Sequence, residues 1–304
     1  MAAWWFGSLD RDMNGAESKH RGSGPSTWRR SAGSILAIMA LIYLLMMGHA
    51  YFFVDRVIFQ PSAPSYQDGE SILKIPVGGH LAISALHLPN PGADYTILYS
   101  HGNAEDLGDI RGRLARYRER GFSIIAYDYR GYGTSSGSPS EKAACADIDA
   151  VYDHLVGQAR VRPEKIIVYG RSLGGGPSVD LASRRPVAGL VLESSFVSIF
   201  RVMARVPLFP FDKFENLRKI GKIGCPVFVI HGKKDEIVPF WHGEMLYRQA
   251  REPKMRLWVV GADHNNLVEV AAEEYWQGLE RFTRLIGSNG LPSSPHGRAT
   301  DRRE

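Results

Sequence analysis

Apolar residues fall along this chain in two patterns. The first is one long block. From Ile35 to Val54, twenty residues carry no Lys, Arg, Asp or Glu, and His49 is the one basic interruption. At ~1.5 Å per residue, a helix of that length crosses a hydrocarbon core of ~30 Å. No polar face can be drawn on it, which argues against a buried soluble helix. A cleaved signal peptide would fit the basic start at Trp28-Arg29-Arg30 and the small-residue end at Gly48-His49-Ala50. The expectation is an uncleaved anchor over residues 32–55, because apolarity continues through Tyr51, Phe52, Phe53 and Val54, beyond a usual signal core. Those aromatic rings also suit a membrane interface. Lys19, Arg21, Arg29 and Arg30 precede the block and only Arg56 follows it closely. The charge bias predicts a cytoplasmic N-terminus with the remainder on the non-cytoplasmic side.

The second pattern is a series of short runs. "SILKIPV" and "HLAISALHL" flank Gly78-Gly79 and predict an antiparallel hairpin. Six further strands are predicted at 95–100, 122–129, 165–170, 188–194, 226–232 and 255–261. Helical stretches separate most of them: Asp109 to Arg120, Glu141 to Gln158, Ser172 to Arg184, His242 to Arg251 and Leu267 to Ile286. Near-continuous apolar strands alternating with helices imply a mostly parallel sheet covered on both faces, with the hairpin as antiparallel edge strands. Residues 1–31 and 287–304 are rich in Gly, Ser and charge and are expected to be disordered. One domain of roughly 230 residues, over 56–286, remains, within the range of single α/β domains.

In such a sheet, ligands bind beyond the C-terminal ends of the strands, so the reactive residues that immediately follow a strand matter most. Gly170-Arg171-Ser172-Leu173-Gly174 follows "KIIVY" and opens a helix. This is the G-x-S-x-G turn that projects a serine hydroxyl above the sheet. It is not a phosphate cradle, lacking both the third glycine of G-x-G-x-x-G and the Gly-Lys-Ser/Thr end of a P-loop. Serine needs an oriented base to act as a nucleophile. His264 follows the last strand and Asp235 the one before it, in the chain order Ser…Asp…His. Glu236 and Glu193 are competing acids by position. The backbone N–H groups of Asn103 and Leu173 are the candidate oxyanion donors. His101 and His231 precede glycines and read as structural, and Asp128 and Arg130 as braces of nearby loops. In the insert between Ser195 and Ile220, "VPLFPF" could wall an acyl pocket.

Composition changes this picture little. The chain has 304 residues, 44% hydrophobic and 23% charged, with a net charge of +5. Basic and acidic residues are interspersed with no dense Lys/Arg block, so nucleic acid is not an expected partner. Cys145 and Cys225 form no CxxC motif or Cys/His cluster, and neither a metal nor a cofactor is expected.

Taken in order, His101-Gly102-Asn103-Ala104, Tyr127-Asp128-Tyr129-Arg130-Gly131-Tyr132-Gly133, Gly170-Arg171-Ser172-Leu173-Gly174, His231-Gly232…Asp235 and His264-Asn265 resemble the α/β-hydrolase superfamily. Within it, the chain is similar to the membrane-associated group containing α/β-hydrolase domain-containing proteins 13 and 17. The resemblance covers about Arg56 to Ile286. It implies the α/β-hydrolase fold with a short cap insert, and Ser172, Asp235 and His264 as the triad. Type-17 members are protein depalmitoylases at the cytoplasmic face. Their cysteine-rich, lipidated N-terminus is absent here: no cysteine precedes Cys145, and the apolar block stands in its place.

The expected function is therefore that of a membrane-anchored serine hydrolase acting on esters or thioesters of a small-molecule or acylated-protein substrate. A prolyl-oligopeptidase-type peptidase is disfavoured, since no propeller-sized N-terminal region is present. Aspartate-nucleophile dehalogenases and epoxide hydrolases are disfavoured by the serine in the turn. A membrane-tethered binding protein with a relic pocket is the non-enzymatic rival.

Overall fold

A computed structural model describes residues 25–289 in two units, one ending at Phe52 and one beginning at Phe53. Helix α1 (Pro25–Ile58) carries the long apolar block. It begins seven residues before the expected anchor, with a proline in the first-turn position where a missing N–H costs nothing. Ser31–Ile58 is long and apolar enough to cross a membrane, and the side chains from Ile35 to Met46 are exposed. Disorder is expected over 1–31 and 287–304; residues 25–31 and 287–289 are instead the ends of helices α1 and α9 (Glu273–Asn289), and the remainder falls outside the described residues.

The second unit is built on eight strands: β1 (Ile72–Pro76), β2 (Ala82–Leu88), β3 (Thr96–Ser100), β4 (Ser123–Tyr127), β5 (Ile166–Arg171), β6 (Gly189–Glu193), β7 (Val227–Gly232) and β8 (Lys254–Val259). They form one sheet in the order β1-β2-β4-β3-β5-β6-β7-β8. Strands β3 to β8 run parallel, and the β1–β2 hairpin adds the antiparallel edge, as the two patterns of apolar spacing predict. Gly78 and Gly79 turn the hairpin at φ of 103° and 58°, a region where only glycine is unstrained.

The central strands bury both faces. Ile97, Tyr99, Tyr169, Val191, Phe228 and Ile230 point into one core layer, and Leu98, Val168, Leu190 and Val229 are buried on the other side. Helices α2 (Leu107–Glu119) and α9 (Glu273–Asn289) cover the first face. On α9, Tyr275, Leu279, Phe282 and Ile286 form one stripe at helical spacing, each side chain worth ~1.5–3 kcal/mol of burial. Helices α3 (Glu141–Gly157) and α4 (Gly175–Ala182) pack together on the opposite face, α4 directly against β5. Short helices α5 (Ile199–Met203) and α6 (Asn216–Ile220) make up the insert after β6; α7 (Trp241–Gln249) follows β7, and α8 (Leu267–Ala271) precedes α9. One predicted helix is two: the stretch from Leu267 to Ile286 breaks at Ala272, whose φ of 47° interrupts helical geometry.

Candidate active site

The site is assembled at the C-terminal ends of β3, β5, β7 and β8. Ser172 follows β5 directly and holds φ at 50°, a left-handed conformation that costs a non-glycine residue ~1–3 kcal/mol. Its neighbours permit the turn. A Cβ on Gly170 would lie 2.6 Å from the Gly174 carbonyl oxygen and from Gly175 Cα, and one on Gly174 would collide with the Ser100 carbonyl oxygen. The turn therefore packs backbone against backbone, and Ser172 and Leu173 face a cavity.

His264 comes from the loop after β8 and Asp235 from the loop after β7. His264 Nε2 lies 3.0 Å from Ser172 Oγ, and His264 Nδ1 lies 2.8 Å from Asp235 Oδ2. The other oxygen, Asp235 Oδ1, accepts the N–H groups of Val238 at 2.7 Å and Ile237 at 3.1 Å. Burial alone would raise the Asp235 pKa, but the His264 contact and these hydrogen bonds outweigh it and hold the carboxyl below its usual range. An ionised carboxylate only accepts, so His264 Nδ1 carries the proton and Nε2 is left to accept from the Ser172 hydroxyl.

The competing acids go elsewhere. Glu193 is buried at the end of β6, where Oε1 pairs with Arg113 Nη1 at 2.9 Å and Oε2 accepts from the hydroxyls of Tyr169 at 2.5 Å and Tyr275 at 2.7 Å. Glu236 is exposed. His101 donates through Nδ1 to the Gly102 carbonyl and faces Asp128 across 3.3 Å. Burial opposes its protonation, yet Asp128, Glu105 and that carbonyl raise its pKa. His231 Nε2 bonds the Val238 carbonyl, and burial lowers its pKa. Asp128 accepts from Tyr66 and from the Leu107 N–H, and Arg130 pairs with Asp147, so both brace loops as expected.

Asn103, the candidate oxyanion donor, lines the cavity beside Ser172, and both ends of its side chain are hydrogen-bonded. Nδ2 donates to the Ile58 carbonyl at 2.6 Å, while Oδ1 accepts from Tyr132 at 2.6 Å and from Gln60 N–H at 3.1 Å. Asparagine supplies both a donor and an acceptor, which a turn residue chosen for backbone conformation alone would not need.

The cavity over Ser172 has a volume of about 210 Å³ and is almost wholly apolar. Val54, Val57 and Ile58 form one wall, Phe196, Ile199, Phe200, Val202 and Met203 another, and Ile237 and Val238 a third. This corrects one expectation: the "VPLFPF" stretch is absent from this cavity. Pro207, Leu208, Phe209, Pro210 and Phe211 line a separate one of about 360 Å³, because Phe209 stacks on Phe211 and both pack against Phe200. Neither cysteine joins the site; burial pushes the Cys225 thiol up to about 12.

An eight-stranded, mostly parallel sheet carrying a strained serine after β5, with histidine and aspartate after β8 and β7, defines an α/β hydrolase. The family model for serine aminopeptidase, S33, matches residues 91–215. A Xenopus tropicalis α/β hydrolase domain-containing protein 17B is 44% identical over 200 residues, 65% of this chain and 68% of the relative. The Homo sapiens protein 17B is 43% identical over 200 residues, with the same two shares. The chain belongs to this α/β hydrolase domain-containing family. Among solved structures, a Pyrococcus furiosus esterase shares the fold at a TM-score of 0.63 and 20% identity, covering 75% of this chain and 99% of its own.

Proposed function

We propose that this hydrolase is a membrane-anchored serine enzyme that cleaves carboxylic ester or thioester bonds of acyl substrates through an acyl-enzyme. The observation that carries the reading is the hydrogen-bonded series Ser172–His264–Asp235 opening into an uncharged apolar cavity. Ser172 Oγ attacks the carbonyl carbon as His264 Nε2 takes its proton. The carbonyl oxygen becomes an oxyanion facing the N–H groups of Asn103 and Leu173. Asp235 stabilises the imidazolium. His264 then protonates the leaving alcohol or thiol, and water, activated by the same histidine, hydrolyses the acyl-serine.

The cavity beside Ser172 suits an apolar acyl chain, because the residues lining it carry no charge and burial of apolar surface there is favourable. The opening on the far side of His264 is polar, lined by Lys234, Glu236, Asp263 and Glu269. Acyl-protein thioester cleavage, the activity that resemblance to type-17 proteins implies, is the narrower form of this reading. The α1 segment supports the anchor, and the basic residues before it support a non-cytoplasmic catalytic unit. A reporter fused after Ile286 that is active only in the cytoplasm would overturn that orientation.

Turnover of esters and thioesters of graded chain length, by wild type and Ser172→Ala, tests the reading. Burial is worth ~0.8 kcal/mol per methylene, so kcat/KM should rise about fourfold for each added CH₂ until the cavity is filled. A flat series, or hydrolysis that survives Ser172→Ala, would contradict it.

A further inference from the structure

Arg171 precedes the nucleophile, and its guanidinium reaches both loops that flank Ser172. Nη1 donates to Glu105 Oε1 at 2.8 Å, in the loop after β3. Nη2 donates to Asn265 Oδ1 at 2.7 Å and lies 3.4 Å from the His264 carbonyl oxygen, in the loop after β8. Nε lies 3.3 Å from the buried Glu193 carboxylate, which Arg113 also neutralises. The Arg171 side chain is itself buried. Nothing in the reaction described above uses it.

Glu105 closes the other half of the contact. The same Oε1 that accepts from Arg171 also accepts the Gly102 N–H at 2.6 Å. The turn Gly102–Glu105 is thus tied shut by its own carboxylate and fastened to the residue before Ser172. Ala104, inside this turn, holds φ at 56°, a conformation that persists only where the surroundings enforce it. The space is filled to contact: a Cβ on Gly102 would lie 2.8 Å from both Arg171 Nη1 and Glu105 Oε1. Asn103, whose N–H is the proposed oxyanion donor, sits between Gly102 and Ala104.

We infer that Arg171 and Glu105 are a positioning pair that holds the Asn103 N–H and the His264 loop in register with Ser172. The inference rests on the serine-hydrolase reading of this site. The pair touches no reacting atom; it acts by fixing two loops against the nucleophile turn. An oxyanion donor acts on the tetrahedral state, so its misplacement lowers kcat and spares substrate binding.

The test uses the full chain in detergent with Glu105→Ala, Glu105→Gln and Arg171→Lys. Active sites are counted by fluorophosphonate labelling taken to completion, so that unfolded protein drops out of the comparison. For Glu105→Ala, kcat per active site should fall about 10²-fold, with KM on a short p-nitrophenyl ester within threefold of wild type. Affinity for an alkyl boronic acid, a tetrahedral mimic, should fall in parallel. Glu105→Gln keeps an acceptor for the Gly102 N–H and should recover most of the loss. Arg171→Lys keeps the charge without the fork and should fall between. Unchanged kcat per active site in Glu105→Ala, or a loss confined to KM, would overturn the pair. The underlying reading fails separately: wild type would not label, or Ser172→Ala would label equally.

Discussion

Asp235→Asn separates orientation of the base from integrity of the fold, because the two carboxylate oxygens have different partners. Oδ1 accepts the N–H groups of Val238 and Ile237, at 2.7 and 3.1 Å. Those donors will hold the amide oxygen of an asparagine in the Oδ1 position. The amide nitrogen then occupies the Oδ2 position, 2.8 Å from His264 Nδ1. Two donors cannot face each other, so the imidazole shifts its proton to Nε2. That nitrogen, 3.0 Å from Ser172 Oγ, can no longer accept the hydroxyl proton. The expected loss in kcat is on the order of 10⁴-fold, the size of a wrong-tautomer effect, or about 5.4 kcal/mol of barrier at 1.36 kcal/mol per decade. The loop keeps both backbone bonds, so the melting midpoint should stay within a few degrees of wild type. Steady-state hydrolysis of a short p-nitrophenyl ester, normalised to folded protein, gives the answer. An asparagine variant retaining more than a tenth of wild-type kcat would refute the role assigned to Asp235.

Other expectations follow from single contacts. Ser172→Gly relieves a left-handed backbone and should stabilise the protein by about 1 kcal/mol while abolishing turnover; a lower melting midpoint would count against strain at this turn. Glu193→Ala leaves the buried Arg171 and the partly exposed Arg113 without their shared partner and should cost about 3 kcal/mol, read as a large drop in melting midpoint. Burial alone would raise the Glu193 pKa, but Arg113, Arg171 and the two tyrosine hydroxyls hold it below its usual value. Its stabilising contribution is therefore complete above about pH 4.3 and is lost as pH falls through the lower folded value. The midpoint of wild type should decline over that acid range, and the decline should be shallower in Glu193→Gln. Val202→Trp fills part of the cavity wall and should move the preferred ester to a shorter acyl chain, measured as kcat/KM across the series.

The sheet was readable because each strand is a short apolar run bounded by turn residues, and all eight appear within two residues of their expected limits. That Ser172, Asp235 and His264 meet was readable for a related reason: each follows a strand, and strand ends of a parallel sheet converge on one edge. Side-chain partnerships were not. Nothing local in "HGNAEDLG" says that Asn103 reaches Ile58 and Tyr132, since these contacts span 45 and 29 residues. Arg171 and Glu105 carry a signal in hindsight, as charges placed directly beside the two motifs. Glu193 ends a strand as a catalytic acid would, and only tertiary packing against Arg113, Tyr169 and Tyr275 removes it from contention. The cavity wall was misplaced within the insert because "VPLFPF" and "FVSIF" are equally apolar, and hydrophobicity alone does not say which run turns toward Ser172. The break at Ala272 left no mark either, since alanine favours a continuous helix.

In the proposed reaction Ser172 forms a covalent bond to the acyl group. Mass spectrometry of the protein quenched in acid during turnover of a slowly deacylating p-nitrophenyl ester tests it directly. The expected result is a mass increase equal to the acyl group, mapped to the peptide containing Ser172 and absent from Ser172→Ala. Turnover with no adduct on that peptide, or the same adduct in Ser172→Ala, would contradict it.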